Sequence, residues 1–176
     1  GVIGVGDIGK AVIRRARVFG MKIIATDIIE IDSDFVLEFG VEMTTLDEVL
    51  ANADYLSLNA DLNDTSRHII NAETLKKMKS TSVVINSARG PLIDENALIT
   101  ALHAKRIGGA ALDVYEFEPL PQDSPLIQME NVMLAPHNAN SSPAAWEKVH
   151  WNSIRNLCVG LDIPTDSLDQ EKYPSE

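Results

Sequence analysis

Seven short apolar runs alternate with stretches of helical periodicity, and this alternation restricts the fold more than any other feature of the chain. The runs are 1–5 (GVIGV), 21–27 (MKIIATD), 41–44 (VEMT), 53–59 (ADYLSLN), 81–86 (TSVVIN), 109–114 (GAALDV) and 131–137 (NVMLAPH). Each is too short for a stable helix and is bounded by turn-forming residues, so each reads as a strand. Helical stretches fall at 7–20, 45–53, 71–79, 94–108 and 142–160. In the first of these, Ile8, Ala11, Val12, Ala16 and Phe19 recur at helical spacing and read as its apolar stripe, with Gly20 as the stop. Thr45 and Glu48 stand at capping-box spacing, and Pro143 suits the first turn of the last helix. Strands separated by helices pair in parallel and need cover on both faces. The pattern predicts an α/β fold: a doubly wound parallel sheet of about seven strands with helices on both sides.

The 176 residues are 45% hydrophobic, enough for a single well-developed core, and neither a repeat nor a linker divides them. A net charge of −11 repels phosphate backbones and argues against a nucleic-acid partner. No apolar run approaches the ~18–20 residues of a spanning helix, which argues against a membrane. Cys158 is the only cysteine, so an internal disulfide and a cysteine metal cluster are both excluded. A cytoplasmic location is the expectation. The chain opens at Gly1 inside a strand rather than with Met, and so reads as a piece of a longer polypeptide.

In doubly wound sheets ligands gather at the carboxyl ends of the strands. After the first run, Gly4, Gly6 and Gly9 form G-x-G-x-x-G between a strand and a helix. Such glycines permit a tight turn, close approach of backbone to a diphosphate, and close helix–strand packing. Asp27 ends the second run eighteen positions after Gly9, where a carboxylate can accept the ribose hydroxyls of NAD and repel the extra phosphate of NADP. A rival lies in the same letters: GVGDIGKA approaches the mononucleotide pattern G-x-x-x-x-G-K-[ST]. There Ala11 replaces the hydroxyl that would hold magnesium, which disfavours nucleotide hydrolysis.

Arg89 follows the fifth run, and a guanidinium there can grip a carboxylate through two parallel hydrogen bonds. Asp113, Glu116 and Glu118 crowd the stretch after the sixth run, and His137 closes the seventh. A lone Arg reads as a surface ion pair, and a lone His at a strand end as structural. Three such residues on neighbouring strand ends, beside a dinucleotide site, read instead as one crevice.

In this order and spacing, GVIGVGDIG, Asp27, INSARGPLIDENAL, GGAALDVYEFEP and LAPHNANS resemble the D-isomer-specific 2-hydroxyacid dehydrogenases, which include D-3-phosphoglycerate, D-lactate and glycerate dehydrogenases. The match runs from Gly1 to about Gly160. The resemblance implies a Rossmann-type domain and a catalytic trio of Arg89, Glu118 and His137. In it, His137 exchanges a proton with the substrate C2 oxygen, Glu118 orients the imidazole, and Arg89 binds the substrate carboxylate. Asp113 matches the position that contacts the nicotinamide end. Glu116 receives no role and is expected to lie in solvent. The implied cofactor positions are Gly4, Gly6, Asp7, Ile8, Gly9, Asp27, Asn59, Ala60, Ser66, Ser87, Ala88, Asp113 and Ala139, with NAD as cofactor and no metal. Asn59 stands where the family frequently has His, and Asp61 where it usually has Pro. The Asp61 carboxylate either weakens cofactor binding or points to solvent.

The family carries a separate substrate domain, built mainly from chain preceding the first strand of this sequence. Residues 1–160 are therefore expected to be the NAD-binding domain, and the polar tail 161–176 the start of a return to the absent domain. Such a chain should bind NAD without substantial turnover of its 2-hydroxy or 2-oxo acid, for which D-3-phosphoglycerate and hydroxypyruvate are the candidates. The family pairs through its nucleotide domains, so a homodimer is expected. Trp146 and Trp151 on the last helix suit either core packing or a subunit contact. NAD-sensing transcriptional co-repressors share the Arg, Glu and His and form the alternative reading. HNANSSP lacks the aromatic residue they carry after the His. Formate dehydrogenases pair the His with Gln, against which Glu118 argues.

Overall fold

The computed structural model describes residues 1–165. These separate into two compact units, Gly1–His137 and a second beginning at Asn138. The first unit holds one seven-stranded sheet, with β1 Val2–Ile3, β2 Ile23–Thr26, β3 Val41–Met43, β4 Tyr55–Leu58, β5 Val83–Asn86, β6 Gly109–Leu112 and β7 Val132–Leu134. The order is β3-β2-β1-β4-β5-β6-β7 and every pairing is parallel. The chain reverses its winding between β1 and β4, so the loops leaving those two strands part and open a crevice. All seven strands lie within the apolar runs of the sequence.

The connecting helices are α1 Asp7–Val18, α2 Ser33–Phe39, α3 Leu46–Asn52, α4 Ala72–Lys77 and α5 Glu95–His103. Val2 and Ile3 point to opposite faces of β1 and begin two separate cores. Val2 packs with Val5, Ile13, Ile23, Ala25, Phe35 and Val41 under α1 and α2. Ile3 packs with Leu56, Leu58, Val84 and Leu112, under α3, α4 and α5, which contribute Leu50, Leu75, Leu98 and Leu102. The predicted capping box of α3 is present, with Glu48 N–H donating to Thr45 Oγ1 at 3.3 Å and Thr45 N–H to Glu48 Oε2 at 3.3 Å.

The expected stripe of α1 is wrong in part. Ile13 is fully buried, whereas Ile8 and Phe19 are 64% and 81% exposed. A Cβ on Gly9 would lie 2.1 Å from the Gly4 carbonyl oxygen, so Gly9 is the point of contact between helix and turn. That contact rotates Ile13, four residues on, toward the sheet, and a glycine contributes nothing to hydrophobic periodicity. Helix α2 has no counterpart among the sequence-predicted elements. Asp32 caps it by accepting the Asp34 N–H at 3.1 Å, Gly40 ends it at φ +58°, and it buries Phe35. In the second unit, α6 (Pro143–Gly160) starts at Ser142, whose Oγ accepts the Ala145 N–H, and the Trp146 ring meets His150 at 5.7 Å. No helix among the described residues is long and apolar enough to cross a membrane.

Candidate active site

Gly4 sits at φ +88°, where a Cβ would come within 2.6 Å of the Ala60 nitrogen and 2.7 Å of the Asn59 carbonyl carbon. The loops after β1 and β4 therefore touch at the switch point with no room for a side chain. Gly6 differs: among the described residues nothing lies within 4 Å of where its Cβ would be. The open space at Gly6 stands over the start of α1, where no side chain caps the helix and Asp7 and Ile8 are exposed. Asp27 reaches across from β2, its Oδ2 accepting the Val5 N–H at 2.6 Å and its Oδ1 the Ile29 N–H at 3.1 Å. Each oxygen keeps a lone pair for a further donor. An uncapped helix start beneath open space, beside a carboxylate with acceptor capacity, fits a dinucleotide with an anionic diphosphate and a ribose diol.

On the β4 side, Asn59 donates through Nδ2 to Ser57 Oγ at 3.1 Å, while its Oδ1 is buried without a partner among the described residues. Ala60 packs against the glycine turn. Ser66 is buried, and its Oγ donates to the Asp61 carbonyl at 2.5 Å and accepts the Asn63 N–H at 2.9 Å. That hydroxyl shapes the 61–66 turn. Asp61 itself is exposed.

The other residues follow β5, β6 and β7, in register at Asn86, Leu112 and Leu134. Arg89 stands three residues beyond Asn86 and His137 three beyond Leu134, across two strand spacings of about 4.8 Å each. Buried Asn86 shapes the first turn: its Oδ1 accepts the Ala88 N–H at 3.1 Å and its Nδ2 donates to the Arg89 carbonyl at 2.9 Å. Ser87 is exposed and Ala88 half-buried along it. Arg89 is exposed and donates one N–H to the Ala88 carbonyl at 2.6 Å, which leaves most of its donor fork available. Gly90 then opens a 3-10 turn, Gly90–Leu92, hard against the Tyr115–Glu116 peptide. Asn86 also accepts the N–H of buried Asp113 on its carbonyl at 2.9 Å.

Tyr115 joins the loops after β6 and β7. Its N–H donates to Glu118 Oε1 at 3.0 Å and its hydroxyl to the Ala135 carbonyl at 2.6 Å. Burial pushes the phenol above its ordinary range. Glu118 Oε2 lies 2.7 Å from His137 Nδ1. The hydrogen bond with His137, and after it the Tyr115 N–H, hold the Glu118 carboxyl below the usual range. His137 has φ +54°, a left-handed conformation that turns the chain off the end of β7. Its Nε2 has no partner among the described residues. A cleft of about 590 Å³ adjoins the pair, lined by Tyr115, Pro119, Leu120, Leu134 and Pro136. Ala139 belongs to the second unit.

The expectation for Glu116 is overturned. Its side chain is only 17% exposed; Oε1 lies 2.8 Å from His68 Nε2 and Oε2 accepts the Glu95 N–H at 3.2 Å. Sequence reading also passed over Asn86 and Tyr115. Asn at a strand end before Ser-Ala-Arg-Gly is a turn signal that could have marked the first. Nothing local marks the second.

A parallel sheet in this order, with a glycine turn at the switch point and a carboxylate after the second strand, defines a dinucleotide-binding α/β domain. The family model described as D-isomer specific 2-hydroxyacid dehydrogenase, NAD binding domain, matches residues 1–139. The chain is 41% identical over 173 residues to a glyoxylate reductase of Korarchaeum cryptofilum (strain OPF8), covering 97% of this chain and 52% of that protein. It superposes with a TM-score of 0.85 and 37% identity on the crystal structure of a glyoxylate reductase from Paecilomyes thermophila, covering 92% of this chain and 48% of that one. The NAD-complexed D-isomer specific 2-hydroxyacid dehydrogenase of Lactobacillus delbrueckii ssp. bulgaricus gives a TM-score of 0.81 at 32% identity, covering 94% of this chain and 53% of that one. The chain belongs to the D-isomer-specific 2-hydroxyacid dehydrogenase family and forms its NAD-binding domain, with NAD as cofactor. It spans about half the length of the curated relatives it matches.

Proposed function

We propose that this chain is the cofactor half of an NAD-dependent oxidoreductase that interconverts a small 2-hydroxy acid and its 2-oxo acid. Residues 1–160 are the NAD-binding domain in this reading, a separate domain completes the substrate cleft, and the whole enzyme acts as a cytoplasmic homodimer. Bound NAD(H) supplies or accepts the hydride. His137 handles the proton: Glu118 occupies Nδ1, which leaves Nε2 to take the proton of the C2 hydroxyl or return it to the C2 oxygen. Glu118 fixes the ring plane and offsets its positive charge. Arg89 binds the substrate carboxylate through its free N–H groups and polarises the C2 oxygen. Asp27 selects NAD over NADP.

The observation that carries this reading is the 2.7 Å contact of Glu118 with His137 Nδ1, on the loop that Gly90 locks to the Arg89 turn. The relatives named glyoxylate reductase favour a short 2-oxo acid, so glyoxylate and hydroxypyruvate are the first substrates to try, with D-3-phosphoglycerate in the oxidative direction. The test is NADH oxidation by the full-length protein across these acids, with Arg89→Lys and His137→Ala alongside. Turnover should fall at least about 100-fold in each variant. The 176-residue chain alone should bind NADH and turn over poorly. Full-length protein inert toward every 2-oxo acid would overturn the reading, and brisk turnover by the short chain would overturn its two-domain part.

A further inference from the structure

We propose that Glu116 is a positioning residue, clamping the Arg89 turn against the loop that carries Glu118. The turn is held from two sides. On one, the His68 backbone N–H donates to the Pro91 carbonyl at 2.8 Å, and the His68 ring reaches Glu116 Oε1 at 2.8 Å. On the other, Glu116 and Glu95 exchange hydrogen bonds: Glu116 Oε2 accepts the Glu95 N–H at 3.2 Å, and Glu95 Oε2 accepts the Glu116 N–H at 3.1 Å. Glu95 begins α5, the helix that follows the Arg89 turn. Burial, and with it the neighbouring Glu116 charge, pushes the Glu95 carboxyl above its ordinary range. One side chain therefore joins the loops after β4, β5 and β6.

The sheet does not need this link to hold together. Leu98 and Leu102 already anchor α5 in the core, and Leu112 anchors β6. What the link fixes is the separation between two loops whose ends bear Arg89 and, two residues past Glu116, Glu118. Charge-assisted hydrogen bonds on a largely shielded carboxylate suit that task, and a misplacement of about 1 Å in a site can cost on the order of 100-fold.

The kinetic part rests on the function proposed above; the structural part does not. In the full-length protein with NADH and a 2-oxo acid, Glu116→Ala should lower kcat/KM by about 10–100-fold. NADH affinity should fall far less than kcat/KM, because neither the glycine turn nor Asp27 is among the partners of Glu116. Glu116→Gln, which keeps an acceptor for the Glu95 N–H, should recover most of the loss. Hydrogen exchange in the unliganded protein reads the clamp directly: the Leu92 and Ile93 amides, bonded to Arg89 and Gly90, should exchange faster in Glu116→Ala than in wild type. His68→Asn, which keeps a residue tolerant of φ +51° but drops the ring contact, should show the same local effect if Glu116→Ala does not fold. Unchanged exchange at Leu92 and Ile93 overturns the proposal, as does a loss of protection across the whole sheet with NADH binding falling in step. If wild type reduces no 2-oxo acid, the functional reading fails, and exchange alone still decides the clamp.

Discussion

Gly90 and Tyr115 meet backbone to backbone: a Cβ on Gly90 would sit 1.7 Å from the Tyr115 carbonyl oxygen and 2.6 Å from the Glu116 nitrogen. No positive φ demands glycine here; the demand is for space. Gly90→Ala must push the two loops apart, since neither neighbour is a flexible side chain. The expected cost is about 2 kcal/mol or more, or a fall in Tm of roughly 4–8 °C. Thermal unfolding of the variant checks it, and a Tm equal to wild type would show that the loops do not touch.

The glycine turn offers a contrast between fit and fold. Gly6 has open space where its Cβ would stand and an ordinary extended backbone at φ −72°. Gly6→Ala should keep the wild-type Tm within about 1 °C and lose at least about tenfold in NADH affinity, the methyl standing where a diphosphate passes. In Gly9→Ala the added carbon falls 2.1 Å from the Gly4 carbonyl oxygen. That variant should lose stability and cofactor binding together. NADH titration by fluorescence, paired with thermal melts, separates the two cases. Wild-type affinity in Gly6→Ala would move the diphosphate elsewhere.

Glu118 gives a pH prediction with a definite sign. Its carboxyl is held below the usual range by the His137 hydrogen bond first and by the Tyr115 N–H as well. A depressed carboxyl contributes its contact fully above the unfolded value and loses it as pH falls through the folded one. A carbon-13 NMR titration of the Glu118 carboxyl should place its midpoint below the ordinary glutamate value of about 4.3. His137→Ala removes the first cause, so the midpoint should climb back toward that value. A midpoint insensitive to His137→Ala would dissolve the pair.

Ile13 and Phe19 test the corrected face of α1. Ile13 is fully buried under the sheet and Phe19 is 81% exposed at the end of the helix. Ile13→Ala should cost about 2–4 kcal/mol in urea unfolding, and Phe19→Ala about 0.5 kcal/mol or less. The reverse ranking would restore the face expected from periodicity.

Most of the architecture was legible because it rests on short-range signals. The seven apolar runs, the glycines at 4, 6 and 9, and Asp27 each declare themselves within a few residues of their neighbours. Helix α2 escaped although Asp32 and Gly40 bracket it: α3 is equally short but is marked by Thr45 and Glu48 at capping-box spacing, whereas Phe35 stands where α2 would need the second member of such a box. In α1 the periodicity itself misled, since Gly9, the residue that touches the turn, carries no hydrophobic signal. Glu118 and His137 could be singled out from the order of motifs, but Glu116 could not. Three nearby acids look alike on paper, and the partner that distinguishes Glu116 is His68, 48 positions away.

The sequence by itself determined a parallel α/β sheet and the place of the cofactor turn, because strand length, helix period and glycine spacing are properties of neighbouring residues. Only the tertiary structure decided that Glu116 meets His68, and how close Glu118 stands to His137. Such contacts form between loops that leave different strands, and their distances are set by strand register and by the close fit of Gly90 against Tyr115. Neither quantity is written in any local stretch of the chain.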